Sequence, residues 1–155
     1  MHLNISGCSL YAENCGDLIR SLCSLSCLQY LNIADNPDAI DDTAVTTLIS
    51  NMKSLQRLDI SGNIRVTDIS LSAIALHAGD RLLSLSASKN VLLTHIGAHM
   101  ITAHCRNLKS LDLSHCPLVT SLGVIMTMSD GQLSFASRSL ITVNLDGCSN
   151  LTTEP

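Results

Sequence analysis

Residues 55–63 read LQRLDISGN, and this pattern returns four more times along the 155-residue chain. Every copy fits LxxLxLxxN or LxxLxLxxC, with Ala87 and Val143 standing at two of the aliphatic positions. The other copies are LQYLNIADN (28–36), LLSLSASKN (82–90), LKSLDLSHC (108–116) and LITVNLDGC (140–148), and a shortened copy, LNISGC, occupies residues 3–8. Such recurrence predicts a repeat protein, in which each unit packs mainly against its two neighbours.

The spacing of the copies predicts what one unit contains. The strand-forming cores begin near residues 3, 31, 58, 85, 111 and 143, which gives spacings of 28, 27, 27, 26 and 32 residues. In the third copy, alternation predicts a short strand with Leu58 and Ile60 inward and Asp59 outward, and Asp68 then marks the start of a helix. We therefore predict one α/β domain over residues 1–155, a right-handed solenoid of five to six repeats with a curved parallel sheet on its concave side and helices on its convex side.

The last position of each copy is Asn or Cys, and it lies where the chain turns away from the strand. An Asn side chain both donates and accepts hydrogen bonds, so it can satisfy backbone groups that the turn removes from the sheet. We expect these residues to face inward and form a structural ladder, consisting of Cys8, Asn36, Asn63, Asn90, Cys116 and Cys148.

Residues 105–120, CRNLKSLDLSHCPLVT, carry the cysteine-containing signature CxxLxxLxLxxCxxIT almost unaltered. The chain resembles the cysteine-containing subclass of leucine-rich repeats, found in F-box/LRR ubiquitin-ligase receptors and their F-box-less relatives. The motifs NIRVTD (63–68) and CSNLT (148–152) support the resemblance, whereas Asn replaces Cys in three of six repeats. The resemblance implies a leucine-rich-repeat fold and, as one possible role, the substrate-recognition region of an SCF-type ubiquitin ligase.

The fifth repeat is longer than the others and contains an insertion at residues 129–138, SDGQLSFASR, with the only Phe of the chain. Extra residues in a repeat array often form binding loops. The alternative, which we favour, is that Phe135 and Leu133 pack against the preceding Met126 or Met128.

Neither end of the array shows a capping element, because the first strand begins at the third residue and the chain ends where a sixth helix should start. Terminal units of solenoids need polar caps. We expect the chain to be a fragment or to have its ends covered by other chains.

The composition excludes several classes of protein. Hydrophobic residues make up 46% and charged residues 14%, which excludes disorder, and eight Gly with three Pro exclude a collagen-like chain. Apolar runs are too short to span a membrane, and a net charge of -4 argues against binding nucleic acid. Seven Cys without a CxxC pair or an export signal predict reduced thiols in the cytoplasm.

The sequence offers little support for catalysis. It contains no GxGxxG, GK[ST], HExxH or GxSxG motif, so we predict no catalytic residue, no cofactor and no metal. His95 and His99 have the i, i+4 spacing of a metal pair, and His104 follows nearby. We favour solvent-facing histidines, since no carboxylate is close in sequence.

The outward strand positions remain as the candidate binding surface. The central column of that face is Asn, Asp or Ser throughout, although Asn and Asp are unfavourable in strands. Either partner binding retains them, or a solvated face tolerates any small polar residue. The predicted partner-binding residues are Tyr30, Asn32, Arg57, Asp59, Asp112, His115 and Asn144.

The sequence thus predicts a non-enzymatic protein-interaction module or scaffold within a larger assembly. The expected partners are other proteins in a multi-subunit complex, with no nucleic acid, no membrane insertion and no small-molecule substrate. The alternative is the ubiquitin-ligase role that the resemblance implies.

Overall fold

The computed structural model describes residues 1–121, 126–129, 132–135 and 139–152. Six three-residue strands form one parallel sheet in the order β1-β2-β3-β4-β5-β8: β1 His2–Asn4, β2 Tyr30–Asn32, β3 Arg57–Asp59, β4 Ser84–Ser86, β5 Ser110–Asp112 and β8 Thr142–Asn144. Helices occupy the crossovers between the first five strands: α1 Ala12–Cys23, α2 Asp42–Asn51, α3 Asp68–Ala78 and α4 His95–His104. The predicted α/β repeat solenoid is confirmed.

The central residue of every strand lies in one continuous row, since the register pairs each with its equivalent in the next repeat. The four inner strands bury this residue and the aliphatic residue two positions later almost completely. Burial of a Leu side chain stabilises a fold by about 1.5–3 kcal/mol, so the row is a major source of stability. Its buried members are Leu31, Ile33, Leu58, Ile60, Leu85, Ala87, Leu111 and Leu113.

Asn side chains join successive repeats through hydrogen bonds that no helix or strand supplies. The amide nitrogen of Asn63 donates to the carbonyl oxygens of Ile33 (3.1 Å), in the preceding repeat, and Ile60 (3.0 Å), in its own. Its side-chain oxygen accepts the backbone N–H of Asn36 at 2.9 Å, and its own N–H donates to the side chain of Asn90 at 2.8 Å. Each Asn is therefore required by the repeat on either side of it.

Cysteine takes over the ladder position in the last repeats. The Cys116 thiol donates to the carbonyl of Ala87 at 3.3 Å, and the Cys148 thiol donates to that of Leu113 at 3.1 Å. Both are buried. Cys8 is a correction to the predicted ladder, because it is exposed. In the sheet that the described residues form, β1 is an edge strand, so Cys8 has no neighbouring strand on that side to offer it a carbonyl group.

The residue immediately before each ladder position has a left-handed backbone. Its φ lies between +53° and +71° in all six repeats, at Gly7, Asp35, Gly62, Lys89, His115 and Gly147. This conformation turns its N–H toward a carbonyl of the next repeat, as at Lys89, which donates to Ser114 at 2.8 Å. The left-handed conformation costs a non-glycine residue about 1–2 kcal/mol. Asp35, Lys89 and His115 adopt it all the same.

A second set of inter-repeat bonds involves the carboxylates at the helix N-termini. Asp42, the first residue of α2, accepts the backbone N–H and the hydroxyl of Thr67 (2.9 and 2.7 Å) and those of Ser70 (3.2 and 2.5 Å). Asp68 does the same for Thr94, the N-cap of α4. Burial on its own would raise the pKa of Asp42, but hydrogen bonds from Ser70 and Thr67 outweigh it and hold the pKa below its ordinary value.

The helix layer is close-packed where α3 meets α4. Gly97 lies against α3, and a Cβ there would clash with the Asp68 carboxylate and approach the Leu71 Cδ1 to 2.8 Å. Glycine at this position therefore serves the close approach of two helices.

The fifth repeat departs from the prediction. The repeat pattern predicts a helix between the fifth strand and the insertion, whereas the described residues 126–129 and 132–135 form an antiparallel pair, β6 Met126–Ser129 and β7 Gln132–Phe135. Apolar and polar residues alternate with a period of two in both segments, which favours strands over a helix. The register sets Met126 opposite Phe135 and Met128 opposite Leu133. Residues 130, 131 and 136–138 of the predicted insertion lie outside the described residues, so its role as a binding loop stays a prediction.

Replacing Asn63 with Ala should destabilise the protein by about 2–3 kcal/mol, because the buried N–H of Asn36 loses its acceptor and the carbonyls of Ile33 and Ile60 each lose one of their two amide donors. Asn63→Cys should cost less, since a thiol keeps one donor, as at Cys116. Urea unfolding measures both. Asn51→Ala, at an exposed helix position, is the control and should cost less than about 0.5 kcal/mol. Equal losses for Asn63→Ala and Asn51→Ala would contradict the role of the ladder.

The lowered pKa of Asp42 predicts an acid-dependent loss of stability. A carboxylate with a depressed folded-state pKa contributes stability above its unfolded pKa of about 3.9, and this contribution is lost as the pH falls below that value. Asp42→Asn should be less stable by about 1–2 kcal/mol at pH 7 and should lose less than the wild type on acidification. Thermal unfolding from pH 7 to pH 3 measures the difference. Asp17→Asn, at an exposed ion pair, should follow the wild-type curve.

Candidate functional site

The outward side chains of the six strands, with the residues two positions after them, form the open sheet face. It has three columns, each with one residue per repeat. They are His2, Tyr30, Arg57, Ser84, Ser110 and Thr142; then Asn4, Asn32, Asp59, Ser86, Asp112 and Asn144; then Ser6, Ala34, Ser61, Ser88, Ser114 and Asp146. Most side chains of the first two columns are half-buried or exposed, so this face is available to a partner.

The Asn and Asp residues of the central column have a structural role that their place in the repeated pattern does not reveal. In five of the six repeats the side-chain Oδ1 accepts the backbone N–H two residues later, at 2.9–3.1 Å. This local turn satisfies an N–H where the short strand ends. The five residues are Asn4, Asn32, Asp59, Asp112 and Asn144.

Ser86 fills the central column in the fourth repeat and has a different arrangement. Its hydroxyl lies 2.8 Å from that of Ser61, and Ser61 Oγ also accepts the N–H of Ser88 at 3.2 Å. The small polar residues of this column are thus explained by strand termination, without any partner.

The turns do not require the negative charges of Asp59 and Asp112. Each carboxylate uses one oxygen for the turn, and its second oxygen accepts no hydrogen bond from the described residues. An Asn would serve the turn equally well, as Asn32 and Asn144 show. The two carboxylates therefore add negative charge to the face beyond what the fold requires.

The first column supplies the larger side chains. Tyr30 is half-buried and meets His2 edge-on, with 5.6 Å between ring centroids. Arg57 is exposed, and its guanidinium donates to no acceptor in the described part of the chain. Tyr and Arg are the residue types that most often dominate protein–protein binding energy.

His115 lies at the rim of the face, exposed and with a left-handed φ of +57°. Its ring covers Gly147 of the next repeat so closely that a Cβ on Gly147 would clash with the imidazole. The backbone N–H of His115 donates to the carbonyl of Asp146 at 2.7 Å, which ties this turn to the next repeat.

Of the predicted partner-binding residues, the structure brings Tyr30, Arg57 and Asp59 together in adjacent strands β2 and β3. Asp112 and Asn144 pair in β5 and β8, and His115 follows β5. The two groups are separated by the serine-rich strand β4. They form two polar patches on one face, not one continuous site.

The three histidines considered for metal binding do not form a site. Nδ1 of His95 lies 3.1 Å from the Thr120 hydroxyl, and Nδ1 of His104 lies 3.0 Å from the Met100 carbonyl. Across the described ranges, no group of three His, Cys, Asp or Glu residues is arranged to hold a metal ion. Nor does that part of the chain contain a helix long and apolar enough to cross a bilayer.

The buried cysteines are poor nucleophiles. Burial, with a smaller contribution from Asp80, raises the pKa of Cys105 to about 12. Burial also raises the pKa of Cys116 to about 11. Because the thiolate is the reactive form, both side chains are suited to packing and hydrogen bonding and not to covalent chemistry.

Asp59 accepts a hydrogen bond that ends β3 and also carries a charge that the turn does not need. Replacing it with Ala and with Asn should therefore change the free energy of unfolding by different amounts. Asp59→Ala should destabilise the protein by about 1 kcal/mol, because the Ser61 N–H loses its acceptor. Asp59→Asn keeps an oxygen in place and should change the free energy of unfolding by less than about 0.5 kcal/mol. Urea unfolding distinguishes the two, and equal destabilisation by both would contradict the assignment of this side chain to the turn.

Comparison with known proteins agrees with this architecture. A family model described as "Leucine Rich repeat" matches residues 51–75 and 104–126. A transport inhibitor response 1-like protein from Oryza sativa subsp. japonica is 35% identical over 78 residues, which cover 49% of this chain and 12% of that relative. The aligned part is thus a small share of the rice protein. Together with the repeated pattern and the six-stranded parallel sheet, these matches show that the chain folds as a leucine-rich-repeat array.

Proposed function

We propose that this chain is a non-enzymatic protein-interaction module that binds a partner protein through its open sheet face. One observation carries the proposal: the Arg57 guanidinium and one carboxylate oxygen each of Asp59 and Asp112 have no hydrogen-bond partner among the described residues, although they lie on an open face. Leucine-rich-repeat arrays present extended surfaces of this kind to their partners. We assign no catalytic step, cofactor or small-molecule substrate to the face.

The patch on β2 and β3 is the first contact that we assign to a partner. Tyr30 offers a half-buried ring, Arg57 an unengaged guanidinium, and Asp59 a free carboxylate oxygen. A guanidinium beside a carboxylate favours a partner with charges of both signs, and the ring adds apolar area.

The patch around Asp112 and His115 is the second contact, with Asn144 beside it. Its position two strands further along the sheet supports a partner that spans several repeats. The intervening serines of β4 add no bulk, so a partner can lie flat across the sheet.

A reducing, cytoplasmic environment fits the ladder. Cys116 and Cys148 act as hydrogen-bond donors through their S–H groups, which a disulfide or an oxidised sulfur would lack. All seven cysteines are free. We therefore propose that the module and the multi-subunit assembly that it serves work in a reducing compartment. The net charge of -4 argues against a nucleic-acid partner.

A second candidate function is substrate recognition within an SCF-type ubiquitin ligase. It is favoured by the near-intact cysteine-containing signature at residues 105–120 and by the rice relative. Both candidates use the same open face, and they differ in the assembly that holds the module.

Affinity capture tests the proposal. The wild-type chain and the variant Arg57→Ala, Asp59→Asn, Asp112→Asn are used as baits in lysate of the source organism, and bound proteins are quantified by mass spectrometry. The Asn substitutions preserve the turns, so the variant should fold normally and lose at least tenfold of the specifically bound partner.

A matched variant controls for charge and for folding. Lys53→Ala, Glu13→Gln, Asp80→Asn changes the same charges at exposed positions outside the open face, and it should retain the partner. Full retention by the first variant would overturn the proposed face. Ubiquitin-ligase adaptor and cullin subunits among the captured proteins would favour the second candidate function.

A further inference from the structure

A groove on the helix layer, away from the open sheet face, has features that the proposed function does not explain. It lies between α1 and α2 and encloses about 350 Å³. Its floor is apolar and buried, formed by Cys15, Ile19, Ala39 and Ala44. The volume is at the lower end of the range for pockets that hold a compact ligand group.

Gly16 forms part of the groove wall, and the packing of the protein does not require a glycine there. A Cβ at Gly16 would meet no atom within 4 Å, in contrast to Gly97, where a Cβ would collide with α3. Glycine inside a helix destabilises it relative to alanine. Because Gly16 has no side chain, it leaves open space beside the apolar floor.

Two arginines, Arg20 and Arg65, line the groove. Arg20 extends from the last turn of α1, and Arg65 from the loop before α3. The ion pair of Arg20 with Asp17 is largely solvent-exposed. Arg65 is exposed, pairs with the half-buried Asp41 at 3.5 Å and donates to the Asp38 carbonyl at 3.2 Å. Ion pairs of exposed arginines contribute little to stability, so a ligand carboxylate can replace them at low cost. Asp41, the one acidic residue of the groove lining, already accepts the Ala44 N–H as the N-cap of α2.

We propose that this groove docks a segment of a partner protein that presents one large apolar side chain flanked by acidic residues. The apolar floor takes the side chain in the space that Gly16 leaves open. The guanidinium groups of Arg20 and Arg65 pair with the flanking carboxylates. The site is a second contact surface, independent of the open sheet face.

Binding is tested with the peptide Glu-Glu-Phe-Glu-Glu, added to the ¹⁵N-labelled 155-residue chain and followed by NMR. Saturable shifts should appear at the amides of Gly16, Thr43 and Thr47, which line the groove. Glu-Glu-Ala-Glu-Glu and Lys-Lys-Phe-Lys-Lys should bind at least tenfold more weakly, because each lacks one half of the complementarity. Equal binding of the three peptides, or shifts confined to the open sheet face, would overturn the proposal.

Two substitutions in α1 separate docking from folding. Gly16→Leu fills the groove with a good helix former, so its urea midpoint should not fall, while peptide affinity should drop at least tenfold. Ser21→Leu places the same side chain at an exposed position of α1 outside the groove lining and should leave affinity unchanged. Wild-type affinity in a folded Gly16→Leu chain would exclude the groove as the binding site.

The charged rim is tested in the same way. The double variant Arg20→Gln, Arg65→Gln should weaken Glu-Glu-Phe-Glu-Glu binding at least fivefold, and added salt should reduce the wild-type affinity toward that of the variant. Arg57→Gln, on the open sheet face, should bind the peptide as the wild type does. An equal effect of Arg57→Gln would contradict an assignment to the groove.

Discussion

The hydrogen bonds of the Asn/Cys ladder are the constraint on which the rest of the structure depends. A three-residue strand followed by a turn leaves backbone carbonyls without partners inside the protein, and burying them unpaired costs free energy. Asn63 resolves this by bonding to its own repeat and to the repeat before it. Because the ladder fixes one repeat against the next, it also aligns the inward Leu rows and the three outward columns.

The same constraint explains why strand ends carry Asn and Asp. A polar residue on the outward side of a strand looks at first like a binding residue. In Asn32, Asp59 and Asp112 the side chain instead accepts the N–H two residues later and ends the strand. The turn needs an oxygen acceptor but not a negative charge. An Asp-to-Asn substitution can therefore separate a binding role of the charge from the structural role of the side chain.

Much of this architecture was predictable from the sequence, because a repeated pattern multiplies a weak local signal. Leu58 and Ile60 inward, Asp59 outward and a helix near Asp68 all follow from periodicity. The left-handed turns could not be predicted from the sequence. Glycine, as at Gly62, is typical of a positive φ, whereas the lysine and histidine at Lys89 and His115 are not. Cys8 was misplaced because a motif does not reveal that its strand lies at the edge of a sheet.

The β6–β7 pair was missed because the array pattern was extended over a segment whose own alternation has a period of two. The α1–α2 groove depends on the packing of two helices, which no local pattern encodes.

The change from Asn to Cys along the ladder gives the array a mechanical gradient. An amide side chain binds neighbouring backbone groups with strong donors and an acceptor, whereas a thiol is a weak donor and a weak acceptor. The junctions at Asn36, Asn63 and Asn90 are therefore stiffer than those at Cys116 and Cys148. Under tension applied along the stack of repeats, the two thiol-linked junctions, one on each side of the fifth repeat, should separate before the amide-linked ones.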